Sequence, residues 1–233
     1  MREQLTFNFT TPVKKFDLSD FIHHKGNHIA YSYIMKDDWN FPVTCLVGFE
    51  YTGKTSLLTL WSEKEKAFSI SPKCLKEKNF IANNYPLIKS IYSAFSLDNL
   101  DSLISNQQLE ENLFHLYNHC VQENKKLLIT SSQKPSSLSF FLPDLSSRLK
   151  SVPTFLLDPP STDEKEIFII KYFSDFQLSP DMSIVKYINE KGPQGLKQLR
   201  KLIEDIYKTS MKQKKKLTIA SLKKLLLTKN NEK

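Results

Sequence analysis

Apolar positions along this chain follow two rhythms as far as residue 160 and only one after it. PVTCLV, residues 42 to 47, is a β-branched run that stops at Gly48, and TSLLTLWSEKEK after Lys54 sets apolar residues at helical spacing before dissolving into charge. That order is strand, glycine loop, helix. AFSIS (67 to 71), AFSLD (94 to 98), KLLIT (126 to 130) and TFLLD (154 to 158) read as further strands. Helical patterns lie between them, as in LEENLFHLYNHCVQ, where Leu113, Leu116, Tyr117 and Cys120 share a face. Strands alternating with helices predict an α/β fold, a mostly parallel five-stranded sheet covered on both faces.

After DPPST the strand rhythm disappears. DEKEIFIIKYFSDF, SPDMSIVKYINEK, GLKQLRKLIEDIYKT and TIASLKKLLLT all carry helical spacing. Ser161 with Glu164 three residues on is a capping-box signature at the head of the first. The expected organisation is a short N-terminal tail (1–12), an α/β domain (13–160) and a small α-helical domain (161–233).

Composition changes this picture little. A length of 233 residues with 40% hydrophobic and 12% aromatic content is enough for a buried core in a medium domain plus a smaller one. The net charge of +8 comes from lysines spread along the chain, which predicts a solvated basic surface in preference to a dedicated nucleic-acid groove. Only KQKKK, residues 212 to 216, is dense, and it is expected in a loop between helices. Cys45, Cys74 and Cys120 stand far apart with no CxxC, which argues for a reduced protein without a zinc site, and His23-His24 makes no ligand set. No cationic-then-apolar leader opens the chain and no apolar run approaches a bilayer span, so a soluble, cytoplasmic protein is expected.

Candidate chemistry begins at GFEYTGKTS, residues 48 to 56, which fits G-x-x-x-x-G-K-[ST]. In such a loop successive N–H groups and a helix N-terminus converge on phosphates, the lysine bridges their oxygens, and the next hydroxyl helps hold Mg2+. Gly48, Gly53, Lys54, Thr55 and Ser56 supply those parts, while Glu50 places an anion where it opposes them. The metal also needs an acid at the end of a neighbouring strand, and Asp98 fits. Asn99 follows it, where many ATPases keep a second acid to orient water; an amide is a poor proton acceptor, so the site reads as holding a nucleotide more than cleaving one.

The order of these motifs, the glycine loop, FSLDN, LFHLYN, LLITSS, LPDLSSRLKS and a terminal helical segment, resembles the AAA+ initiator-related proteins of bacterial chromosome replication. Within them it is most similar to the DnaA regulatory inactivator (Hda) family, from the N-terminus to about residue 227, with residues 113 to 149 the most specific part. The resemblance implies an AAA+ P-loop domain with a helical lid. It implies an ADP or ATP site in which Asp20, Phe21, Ile22 and Asn27 wrap adenine and ribose, although core packing accounts for Phe21 and Ile22 as well. Lys197 stands where the family usually has a sensor arginine, and Ser132 where relatives have a sensing aspartate. QLTFNF, residues 4 to 9, resembles the segment that engages the DNA polymerase III sliding clamp, with Gln4, Leu5, Phe7 and Phe9 as its contacts.

Arg148 stands where AAA+ assemblies carry an arginine directed at a neighbour's γ-phosphate. A second arginine four residues later in DnaA-like chains is Val152 here, which weakens the case for initiator-like self-assembly while leaving a homo-oligomer open. The sequence stops at KNNEK soon after the last helix, so an origin-reading domain is not expected. The implied function is negative regulation of replication initiation: a nucleotide-bound, clamp-associated chain, touching DNA through the clamp, that stimulates ATP hydrolysis on DnaA. The alternatives are an AAA+ ATPase of the helicase-loader type that turns over its own ATP, and a DnaA-binding adaptor with structural nucleotide.

Overall fold

A computed structural model describes residues 21–76, 88, 90–104, 106–213, 219, 222 and 223. Five strands, β1 (Val43–Gly48), β2 (Phe68–Ile70), β3 (Ala94–Leu97), β4 (Lys126–Ser131) and β5 (Thr154–Leu157), form one sheet in the order β2-β3-β4-β1-β5. Every pairing in it is parallel. β1 is flanked on both edges, with Cys45 opposite Ile129 of β4 and Thr154 of β5. Its six residues are all buried, which is why this segment reads as a continuous apolar run without alternation.

Two helical layers cover the sheet. Val43, Cys45 and Val47 face one core with helices α3 (Pro72–Lys76), α4 (Gln107–Gln122) and α5 (Pro143–Lys150), while Leu46 faces the other with α1 (His28–Ile34) and α2 (Lys54–Glu65). The period-2 pleat of β1 thus divides its side chains between two hydrophobic layers. α1 begins just after Asn27, the last of the residues expected to wrap the nucleotide; Ala30 and Ile34, one turn apart, bury completely and hold it down.

Beyond β5 the regular elements among the described residues are helices: α6 (Thr162–Asp175), α7 (Met182–Lys191) and α8 (Leu196–Gln213) enclose a third core built on Ile169, Phe173, Val185, Ile188, Leu199 and Ile203. α8 continues through Lys212 and Gln213, so KQKKK begins inside a helix instead of wholly in a loop; its last three residues lie outside the described ones. At the head of α6 the Glu164 carboxylate accepts from the Ser161 N–H at 2.9 Å and the Ser161 hydroxyl at 2.7 Å. It also accepts from the Lys25 N–H at 2.9 Å, so one carboxylate caps the helix and ties the segment before α1 to it.

Because all five strands run one way, their carboxyl ends gather on one edge, and the loops that leave β1, β3 and β4 meet there. Among the described residues no helix is long and apolar enough to cross a membrane.

Candidate nucleotide site

The glycine loop leaves β1 at Gly48, where β5 passes so closely that a Cβ would lie 2.5 Å from the Leu157 carbonyl oxygen and 2.7 Å from Thr52 Oγ1. Only a hydrogen fits. At the other end Gly53, with φ of 96°, caps α2 in the left-handed region and starts the helix, its carbonyl accepting from the Leu57 N–H at 2.9 Å. Tyr51, at the crest, also has positive φ, 67°, an uncommon conformation for a bulky side chain. Lys54 spans the loop, donating to the carbonyls of Gly48 at 2.6 Å and Phe49 at 2.8 Å. Burial lowers its pKa, while Asp101, Asp98 and Glu50 act the other way by favouring the ammonium.

Thr55, one residue on, donates to both oxygens of Asp98, at 3.2 and 3.0 Å. Asp98 follows β3, which does not pair with β1; β4 lies between them, a correction to the expectation of an acid on an adjoining strand. The gap is bridged by Thr130 of β4, fully buried, whose hydroxyl donates to Asp98 at 2.5 Å while its oxygen accepts from the Asn99 N–H at 2.8 Å. Sequence reading passed over Thr130. The signal was there as a hydroxyl at the end of the otherwise apolar run KLLIT.

Asn99 is left-handed, with φ of 62°, and opens a short 3-10 turn, Leu100–Leu103. Asparagine tolerates this conformation far better than most residues, a backbone reason for an amide after the strand acid. The turn delivers Asp101 to the end of β4, where its carboxylate accepts from Ser132 N–H at 2.8 Å, Ser132 Oγ at 2.7 Å and Ser131 Oγ at 3.2 Å. Ser132 is therefore committed to a second acid near Lys54.

The segment before α1 passes close to the loop. The ring of Phe21 comes within 3.6 Å of where a Cβ on Gly53 would stand and stacks on Tyr31 at 5.5 Å between centroids, with His23 edge-on to both. Ile22 packs instead against the core of the C-terminal helices. Asn27 is buried and its amide is used on backbone, donating to the Ile22 carbonyl at 2.8 Å and accepting from the His24 N–H at 3.1 Å, so it shapes this turn. Ser56 sits half-buried in the first turn of α2. From the C-terminal unit Lys197 reaches Glu50 of the glycine loop at 2.5 Å, both side chains mostly exposed.

Arg148 stands apart from all of these, exposed in the last turn of α5. Its guanidinium lies 5.2 Å from the Phe114 ring centroid and 5.8 Å from that of Tyr117. No ion pair to it forms among the described residues. Asp20 and the tail residues Gln4, Leu5, Phe7 and Phe9 lie outside the described residues.

Comparison with known proteins bears on the fold. Residues 80–153 match the bacterial DnaA ATPase domain. Over 91% of its length the chain superposes on domain III of the Thermotoga maritima replication initiation protein DnaA, covering 96% of that structure with a TM-score of 0.77 and 19% identity. The fold is that of a DnaA-type AAA+ domain. AMPPCP-bound DnaA from Aquifex aeolicus is also similar, with a TM-score of 0.67, 20% identity, and 85% of this chain and 66% of that one covered. By sequence, the chain is 25% identical to the chromosomal replication initiator DnaA of Buchnera aphidicola subsp. Cinara cedri, an alignment taking in 91% of this chain and 53% of the relative. It is 34% identical over 134 residues to an uncharacterized protein of Haemophilus influenzae, 56% of this chain and 57% of that one. The chain thus spans little more than half the length of these two curated relatives.

Proposed function

We propose that this chain is a DnaA-related negative regulator of replication initiation of the Hda type, which holds an adenine nucleotide and supplies an arginine to ATP bound on DnaA. Its three parts are a clamp-binding tail (1–12), a nucleotide-binding AAA+ domain (13–160) and a helical lid (161–233). The observation that carries the reading is Arg148: a cation displayed on the surface of α5, away from its own glycine loop's contacts and without a neutralising acid among the described residues.

A guanidinium supplied from outside stabilises the charge that develops on the transferring phosphoryl group, and in comparable systems it is worth about 10³ to 10⁵ in rate. A surface salt bridge at the same position contributes at most about 1 kcal/mol. In its own site the chain keeps what binding needs: Lys54 and loop N–H groups for phosphates, and Phe21 near the loop for the nucleoside end. Thr55 and Asp98 share a hydrogen bond and suit Mg2+, which they would hold; the ion supplies charge neutralisation on the phosphates when bound. Asn99 cannot take a proton from water, so cleavage of the chain's own nucleotide is slow. Gln4, Leu5, Phe7 and Phe9 deliver the molecule to the sliding clamp, and DNA is reached through it.

The test is hydrolysis of ATP on DnaA in the presence of clamp-loaded DNA, wild type against Arg148→Ala. A loss of roughly 10³-fold in the stimulated rate is expected; equal rates would overturn the proposal. A second reading, an ATPase acting on its own nucleotide, draws on the intact Thr55–Asp98–Thr130 chain and on Asp101 beside it. Single-turnover hydrolysis by the chain alone that Lys54→Ala destroys would favour it.

A further inference from the structure

Two segments singled out in the sequence, LFHLYN and LPDLSSRL, meet in the structure at a single point. Phe114 and Tyr117 stand three residues apart on α4, so their rings lie on one face a turn from each other, and the Arg148 guanidinium is within cation–π range of both, at 5.2 and 5.8 Å. We propose that Phe114 and Tyr117 are positioning residues for Arg148, a two-ring seat that aims the guanidinium outward without neutralising it. The inference rests on the reading of Arg148 as a group acting on a partner's ATP.

The chemistry of the seat is what distinguishes it. A carboxylate beside Arg148 would hold the side chain as well, but it would spend the positive charge that a phosphate needs and would have to be displaced on docking. An aromatic face holds a planar guanidinium by its quadrupole and leaves the N–H edge free to donate. The rings are themselves fixed. Leu113, Leu116 and Cys120 of α4 are buried beneath them, and both rings pack partly on the same core. On the other side Leu145 and Leu149 bury α5 on that core, leaving Arg148 outside. The two helices are held in register by the buried Glu110 carboxylate of α4, which accepts from the Leu142 N–H at the start of α5 at 2.8 Å. The Arg148 carbonyl, finally, accepts from the Ser151 hydroxyl at 2.7 Å, which fixes the backbone from which the side chain extends.

A long flexible side chain that must find its pose during docking loses rotamer freedom then; one already seated has lost it beforehand, so removing the seat lowers the catalysed rate more than it weakens association. The experiment uses the full chain with ATP-loaded DnaA and clamp-loaded DNA, and measures the maximal stimulated rate and the concentration giving half of it. Phe114→Leu and Tyr117→Leu keep bulk and remove the ring quadrupole. Each is expected to lower the maximal rate roughly 2- to 5-fold and the pair about 10-fold, with half-saturation little changed. Phe114→Tyr and Tyr117→Phe, which keep the ring, retain the wild-type rate. In an Arg148→Ala background the leucine changes produce no further loss.

Wild-type rates in the double leucine variant would overturn the inference, as would loss in the aromatic exchanges equal to that in the leucine variants. So would the same fold-loss with and without Arg148, which would mean that the rings act through the fold and not through the guanidinium. If Arg148→Ala by itself stimulates like wild type, the reading of Arg148 fails and the seat falls with it, an outcome visible in the single variant alone.

Discussion

The Lys197 ammonium on α8 lies 2.5 Å from the Glu50 carboxylate at the crest of the glycine loop, so the C-terminal helices are tied to the turn that would meet a nucleotide's phosphates. Its pKa is raised, first by the hydrogen bond to Glu50 and then by that group's charge. Phosphate oxygens would compete with Glu50 for this cation, and Glu50 would repel them. Residues that looked in the sequence like separate departures from a phosphate-binding pattern are one interaction in the structure.

Replacing the acid should therefore help a nucleotide to bind. Glu50→Gln is expected to tighten ATP binding about 3-fold at low salt, and the gain should shrink at high salt because both partners are exposed. Lys197→Gln should weaken binding by a comparable factor. Calorimetric titration at two salt concentrations checks both, and an unchanged affinity in Glu50→Gln would show that the two anions do not compete.

Lys54 and Asp98 predict losses of different kinds. Lys54→Ala removes the cation proposed to meet phosphates and is expected to weaken adenine nucleotide binding by about 10- to 100-fold. Asp98→Asn keeps the hydrogen bond to Thr55 in one orientation but removes the charge that suits Mg2+; it should reduce the dependence of binding on magnesium more than binding in its absence. Fluorescent-nucleotide titration with and without the ion separates the two.

Gly48 is a packing prediction independent of any ligand. A methyl group there meets the Leu157 carbonyl oxygen and Thr52 Oγ1, and backbone on the β5 side cannot swing away as a flexible side chain would. Gly48→Ala is expected to cost about 1 to 3 kcal/mol of stability, seen as a lower urea midpoint at unchanged slope.

Acid sensitivity should arise where the segment before α1 meets α6. His24 is buried against Phe168, both its ring nitrogens lack a partner among the described residues, and burial lowers its pKa below the ordinary 6.5, with Glu164 and Asp158 pulling it up and His23 down. A depressed folded-state pKa means the unfolded chain takes up the proton first, so stability is full above pH 6.5 and falls as the pH drops below it. Glu164 is held down to about 2 by the bonds from Lys25 and Ser161, so its contribution is present above about 4.5 and lost between there and about 2. His24→Leu should flatten the melting temperature between pH 7.5 and 5.5. Glu164→Gln should remove the later loss and extend the earlier one to lower pH, because the carboxylate that pulls the His24 pKa up is gone.

Residue patterns alone reached the strands, the glycine loop and the helical C-terminal part, because a buried parallel strand and an amphipathic helix each write their period into neighbouring residues. Lys54, Thr55 and Asp98 could be named for the same reason, since loop and strand end impose a local spacing. Arg148 was named only through resemblance, as no local pattern marks it. The sheet order was not legible: that β4 intrudes between β1 and β3, so that Thr130 must brace Asp98, follows from pairing between segments dozens of residues apart. Nor were the Glu50–Lys197 tie, Asp101 gathering Ser131 and Ser132, or the two rings around Arg148. Each joins side chains whose separation in sequence says nothing about distance, and whose approach is set when the helices bury their apolar faces on a common sheet and on each other.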